Sequence, residues 1–263
     1  MKPLLPIANI LGFIFTLVLN YLATTLPLNG KNPKELSDLY PNFFVPDPST
    51  FAIWGVIYVG LLGFIIYQAL GMFKKDEPMP DGADRIAWFF VVSCLANGAW
   101  IVAWHFQKVA LSVIIMSLLL STLIQIYLRL GIGRRSVTPA ERWLVHAPFS
   151  LYLGWISIAT IANITAALVD AGWTGFGIEP TVWASIMIGV GTLLTLIVLQ
   201  TRKDIIFAAV VIWAFYGIIK NRYLVDPVPV QSIITTAYIG MALIAVFGLF
   251  SWLRPKFSSS ANS

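Results

Sequence analysis

APFSLYLGWISIATIAN, residues 147–163, is apolar enough to form most of a membrane-spanning helix, yet it carries polar and aromatic residues where lipid would favour aliphatic ones. At 100° per residue, Tyr152, Trp155, Ala159 and Asn163 fall within about 80° of one another, one narrow stripe over three turns. An asparagine in hydrocarbon is expensive unless it finds a partner, so the stripe is expected to face the interior of a bundle. Two aromatics, a small residue and an amide suit one wall of a polar-lined pocket. They also suit plain helix packing, with Ala159 admitting a neighbouring backbone and Asn163 bonding across to it.

The rest of the chain has the same character. Hydrophobic residues make up 58% of the 263 and charged residues only 11%, and the mean hydropathy is +0.82. That balance excludes a soluble domain and implies an all-α polytopic membrane protein. At about 20 residues per span, eight apolar segments are read: 4–26, 51–73, 86–106, 109–130, 143–169, 181–200, 205–219 and 230–253. The first is too long for a signal-peptide core and has no Ala-x-Ala site, so it is read as a mature helix. The seventh is short enough to need a thinned bilayer or a snorkelling Lys220. Residues 258–263 read as a disordered tail.

Sorting the 17 Lys and Arg by side gives an orientation. Lys2, Lys74, Lys75, Arg85, Arg129, Arg134, Arg135, Arg142, Arg202, Lys203, Arg254 and Lys256 share one face, while Lys31, Lys34, Lys108, Lys220 and Arg222 lie on the other. Both termini are therefore expected in the cytoplasm, across the inner membrane of a bacterium. The net charge of +5 reads as this topology signal and contact with anionic lipid. No interleaved basic and aromatic face suggests nucleic acid.

In chain order, Asn9 and Asn20 lie within about 20° on one face of the first span and are expected to meet neighbouring helices. Loop 28–50 is the longest connector. It holds Pro33, Pro41, Pro46 and Pro48 with Tyr40, Phe43 and Phe44, and suits a lid. The second span opens with Trp54 and Tyr58 one turn apart; the third contains Asn97, Trp100 and Trp104 on one face. At 1.5 Å per residue, Trp155 and Trp100 lie about 18 and 21 Å from the inner edges of their spans. Trp54, Tyr58, Asn97, Trp100, Trp155, Ala159 and Asn163 thus share the half of the bilayer beneath the long loop, and with Tyr152 of the same stripe are read as one ligand site.

Other chemistries find no support. His105 and His146 sit at opposite ends of their spans, roughly 25 Å apart in depth, which excludes a two-His clamp. Each is expected at an interface. Acidic residues are expected only in loops and at helix ends, with no Asp or Glu buried, leaving no intramembrane proton carrier. Cys94 is single and can form no internal disulfide. There is no phosphate loop, metal spacing or Ser-His-Asp set at one depth, and Trp213 in the seventh span reads as core.

The motifs resemble the translocator-protein family, also called the tryptophan-rich sensory proteins (TspO/MBR). In that family the fifth helix reads roughly Pro-Tyr-Leu-Leu-Trp-x-Ser-x-Ala-x-x-x-Asn, matched here by Tyr152, Trp155, Ser157, Ala159 and Asn163. Asn97 and Trp100 match its third helix; Pro46, Pro48, Phe51, Trp54 and Tyr58 match the start of its second. The family proline is Leu151 here, with Pro148 one turn earlier, and the spacing from Phe51 to Trp54 is one residue short.

The resemblance implies a TspO-like five-helix bundle over 1–169, with three additional transmembrane helices over 170–257 as in a long eight-helix branch. It also implies a pocket for a porphyrin-like tetrapyrrole, with no required cofactor and no catalytic or metal-binding residues. The implied partners are the bilayer and a hydrophobic small molecule, with a homodimer allowed for. Its sensory or regulatory reading competes with a permease for small hydrophobic molecules and with light-dependent porphyrin breakdown at Trp54 and Trp155; the enzyme reading is the less favoured. Every site residue precedes Val169, so the last three helices are expected to leave the site intact when removed.

Overall fold

The computed structural model describes residues 4–26, 28–31, 33–72, 81–226, 228 and 230–253. Among these, eight apolar helices follow one another: α1 (Leu4–Thr25), α2 (Ile53–Met72), α3 (Phe89–His105), α4 (Val109–Leu130), α5 (Ala147–Asp170), α6 (Pro180–Arg202), α7 (Ile205–Val225) and α8 (Gln231–Leu253). Seven are long and apolar enough to cross a bilayer. α3, at 17 residues, is the shorter one, still within the length a span requires. No strand occurs among the described residues. The chain is a multi-pass integral membrane protein.

Local chemistry sets the helix ends. Asp204 caps α7 by accepting from the Ile206 and Phe207 N–H groups, and Gly131 ends α4 in the left-handed conformation. One wide turn of π-helix, Arg142–His146, precedes α5. Two residues later comes Pro148, whose missing N–H and bulky ring disfavour a regular α-turn there.

α5 occupies the centre, packed against α2, α4 and α7, while α1 and α3 lie beyond α2 and α4, and α6 and α8 beyond α7. One core runs through all eight helices. Phe13, Ile57, Phe90, Met116, Trp155, Ile188, Val211 and Ile234 are buried members of it, so packing is continuous across residues 169–170. Asn9 donates to Gln68 at 3.1 Å and Asn20 to Asn97 at 2.8 Å, as expected of polar groups facing neighbouring helices.

Cross-loop contacts show which ends share a face. The connector from α4 to α5 meets the end of α6, where a Cβ on Gly133 (φ +78°) would stand 1.8 Å from the Arg202 carbonyl oxygen. Only glycine fits this approach. At the other end, Asn29 in the long loop donates to the His105 carbonyl, and Asp47 pairs with Lys220. Lys2, Lys74, Lys75, Arg254, Lys256 and the tail 258–263 lie outside the described residues.

Four expectations are corrected. α7 does not stop near 219 but runs through Lys220, Asn221 and Arg222 to Val225. Those side chains are bonded to Asp47 and Ser49, the Val45 carbonyl and Asp226, so the helix is neither short nor in need of a snorkelling lysine. Trp213 is not core: it is 39% exposed, and its indole N–H donates to the Thr50 carbonyl. Both histidines are buried rather than interfacial. His105 Nδ1 lies 2.8 Å from the Ile101 carbonyl, while His146 sits 3.7 Å from Glu141. Finally, the acids at helix ends and in the loop are not all solvated, since Asp47, Glu141 and Asp204 are buried. Asp204 can be so because Tyr127 and Ser150 donate to its Oδ2 at 2.9 and 2.7 Å.

Candidate functional site

The long loop ends in a 3-10 turn, Pro48–Ala52, that feeds into α2. Asp47 organises the turn, its carboxylate accepting from the Ser49 N–H and hydroxyl, an Asx arrangement that aspartate favours just before a helix. Trp54 and Tyr58 follow at i and i+4 and stack on each other, with ring centroids 5.5 Å apart.

From α5, Tyr152 and Trp155 approach the same rings. Trp54 meets Tyr152 edge-on at 5.8 Å and Trp155 at 6.3 Å, while Phe51 meets Trp155 at 5.6 Å. From α3, Asn97 donates to the Tyr152 hydroxyl at 2.9 Å while accepting from Asn20. Five of the eight expected residues thus form one aromatic and amide cluster spanning α2, α3 and α5, with α1 behind it. Edge-to-face rings at these separations are each worth about 0.5 to 1.5 kcal/mol beyond area burial.

The polar balance of the cluster is incomplete. Trp155 Nε1 and the Tyr58 hydroxyl are buried with no hydrogen-bond partner. Tyr58 comes near Asn97 without reaching hydrogen-bond geometry. A buried donor left unsatisfied costs about 1 to 3 kcal/mol, and here two of them sit on rings that both pack against Trp54.

Trp100 and Asn163 form a second group. Trp100 Nε1 donates to Asn163 Oδ1 at 3.1 Å, and the Asn163 amide donates to Ser112 on α4 at 2.9 Å. Trp104 stacks on Trp100 and also meets Tyr40 of the loop. Trp100, Asn163 and Ser112 are mutually satisfied. Ala159 lies between the groups along α5, half-buried and packed against the core. An apolar groove of about 410 Å³ lies elsewhere, between α1, α3 and α4, lined by Phe15, Leu19, Gly98, Val102 and Leu111.

Sequence reasoning missed the participation of Asn20, Ser112 and Phe51. Asn20 had a signal, since an amide on a span needs a partner, but periodicity does not say which helix supplies it. Among the described residues no group of His, Cys, Asp and Glu could hold a metal ion. No curated protein and no solved structure matches the chain. A family model described as TSPO-like protein matches residues 6–250, a span that includes α6 and α7 and most of α8. With the tryptophans, tyrosines and amides brought together at the motif positions, the chain belongs to the TSPO-like protein family.

Proposed function

We propose that the protein binds a hydrophobic planar ligand of porphyrin type at the Trp54, Tyr58, Asn97, Tyr152 and Trp155 cluster, in a sensory or regulatory role. The observation that carries this reading is the pair of unpartnered buried donors, Trp155 Nε1 and Tyr58 Oη, set among aromatic rings. A macrocycle offers a flat face for the indoles and polar edges to accept from both donors, a combination an aliphatic lipid lacks. Trp54 and Tyr58 are only half-buried, so they are the rings free to swing aside for a guest. Trp100, Asn163 and Ala159 extend the same wall along α3 and α5. Trp100 and Asn163 already satisfy each other, which gives that pair a supporting role.

The test is titration of the purified protein with protoporphyrin while following tryptophan emission. Saturable quenching that weakens in Trp155→Phe is the expected result. Quenching that stays linear in porphyrin, and is equal in wild type and variant, would remove the reading.

A further inference from the structure

We propose that residues 43–51 form a lid over the aromatic cluster, and that α7 is its latch. The polar bonds that hold the lid come from one face of α7. Asp47 N–H donates to the Gly217 carbonyl at 2.9 Å, Trp213 Nε1 to the Thr50 carbonyl at 2.9 Å, and Asn221 Nδ2 to the Val45 carbonyl at 2.9 Å. Lys220 Nζ reaches the Asp47 carboxylate at 2.8 Å and the Ser49 hydroxyl at 2.7 Å. The Arg222 guanidinium lies over the Phe43 ring at 5.2 Å. Residues 213, 217, 220 and 221 occupy about 100° of helix circumference, so one rotational setting of α7 presents the whole latch.

Gly217 makes the fit possible. A Cβ there would stand 2.1 Å from Thr50 Oγ1 and 2.9 Å from Thr50 Cβ. Any other residue would push the turn away. The turn covers the cluster directly, because Phe51 packs edge-on against Trp155 and the turn runs straight on into the stacked Trp54 and Tyr58 of α2. Phe44 anchors the start of the lid in the core, while Asp47, Ser49 and Thr50 meet α7 through polar contacts. Lys220 keeps its side chain 37% exposed, so the latch can be released without dismantling the apolar core. This assignment rests on the ligand reading above, and it gives the helices beyond 169 a part in regulating the same site.

The experiment measures lid opening without a ligand and ligand access separately. Thr50 is 2% exposed, and Thr50→Cys places a thiol under the latch. Cys94, also buried, reports global unfolding in the same molecule. Alkylation by a soluble maleimide, mapped by peptide mass, is expected to be slow at both positions in Thr50→Cys alone. Adding Lys220→Gln should speed labelling at position 50 about two- to fivefold, the range for a partly exposed ion pair. Adding Gly217→Ala should speed it more, with Cys94 still protected in both. Raising salt should reproduce the Lys220→Gln effect by screening, and leave that variant unchanged.

Equal labelling at position 50 in all three proteins would overturn the lid, as would labelling of Cys94 in step with position 50. The rate at which protoporphyrin quenches tryptophan emission should rise in the same order as alkylation. Faster alkylation with an unchanged quenching rate would overturn the gating role and leave the ligand reading standing. No saturable quenching in any protein, with alkylation as expected, would overturn the ligand reading and the lid's function with it.

Discussion

Trp155 and Tyr58 each hold a donor where nothing in the protein receives it, and this makes opposite demands on stability and binding. Tyr58→Phe removes a buried hydroxyl that has no partner, so thermal stability in detergent should hold or rise, while porphyrin affinity falls about two- to tenfold for one lost hydrogen bond. A parallel loss of stability would mean the hydroxyl is satisfied and structural. Trp155→Phe should weaken binding with modest destabilisation, because Phe keeps much of the burial but loses indole area and the N–H. Ala159→Leu adds bulk to a half-buried face of α5 and should cost about 1 to 3 kcal/mol by overpacking, with blocked binding if that face meets the ligand. At this scale the clustering of five of the eight candidate residues was legible. Tyr152, Trp155, Trp54, Tyr58 and Asn97 could be grouped because helical rise fixes depth. What rise cannot give is rotation, so the split between that cluster and the satisfied Trp100, Asn163 and Ser112 group was out of reach.

Helix ends show the same limit from another side. The polar run Lys220, Asn221 and Arg222 reads as the water-facing end of a span, yet each of these side chains is paired and α7 continues past them. Local composition says that a residue is polar, not that a loop some 170 positions earlier supplies its partner. Asp204 is a second case. It caps α7 and also receives Tyr127 from α4 and Ser150 from α5, tying three helices at one point. Asp204→Ala should therefore lower stability by more than the roughly 1 kcal/mol of an ordinary cap, and Asp204→Asn by less, measured as thermal unfolding in detergent. Equal, small losses would show that the buried carboxylate bonds contribute nothing beyond the cap.

Asp47 makes the latch a matter of pH. Burial alone would raise its pKa, but donation from Lys220 and Ser49 outweighs this and holds it below the usual 3.8. With a depressed folded pKa, its contribution is full above the unfolded value and is lost as pH falls through the folded one. Alkylation at position 50 should accordingly be flat from neutral pH down to about pH 5 when corrected for thiolate content, and rise only in stronger acid. A rise between pH 5 and 7 would point to a different group at the latch.

Across the whole molecule, the question is what α6, α7 and α8 are for. Every motif residue precedes 169, which made them look separable. The structure changes the expectation, because α7 buries Phe207, Val211, Ala214, Phe215 and Ile218 in the common core and holds the turn that covers Trp155. The consequence follows from replacing everything after Val169 by one neutral span, which keeps the carboxy terminus on its original side. Such a protein loses both the apolar cover of α5 and all the α7 bonds to residues 45–50. It should unfold at a lower temperature than wild type and label Thr50→Cys at a rate matching or exceeding Gly217→Ala. It should also show faster but weaker porphyrin quenching, since the rings of α2, α3 and α5 remain while the cover that retains a guest is gone. Quenching with unchanged rate and affinity would return the last three helices to the status of a separable unit. Complete loss of binding in a monodisperse, folded protein would place their side chains in the wall of the site itself and favour a permeation path through all eight helices.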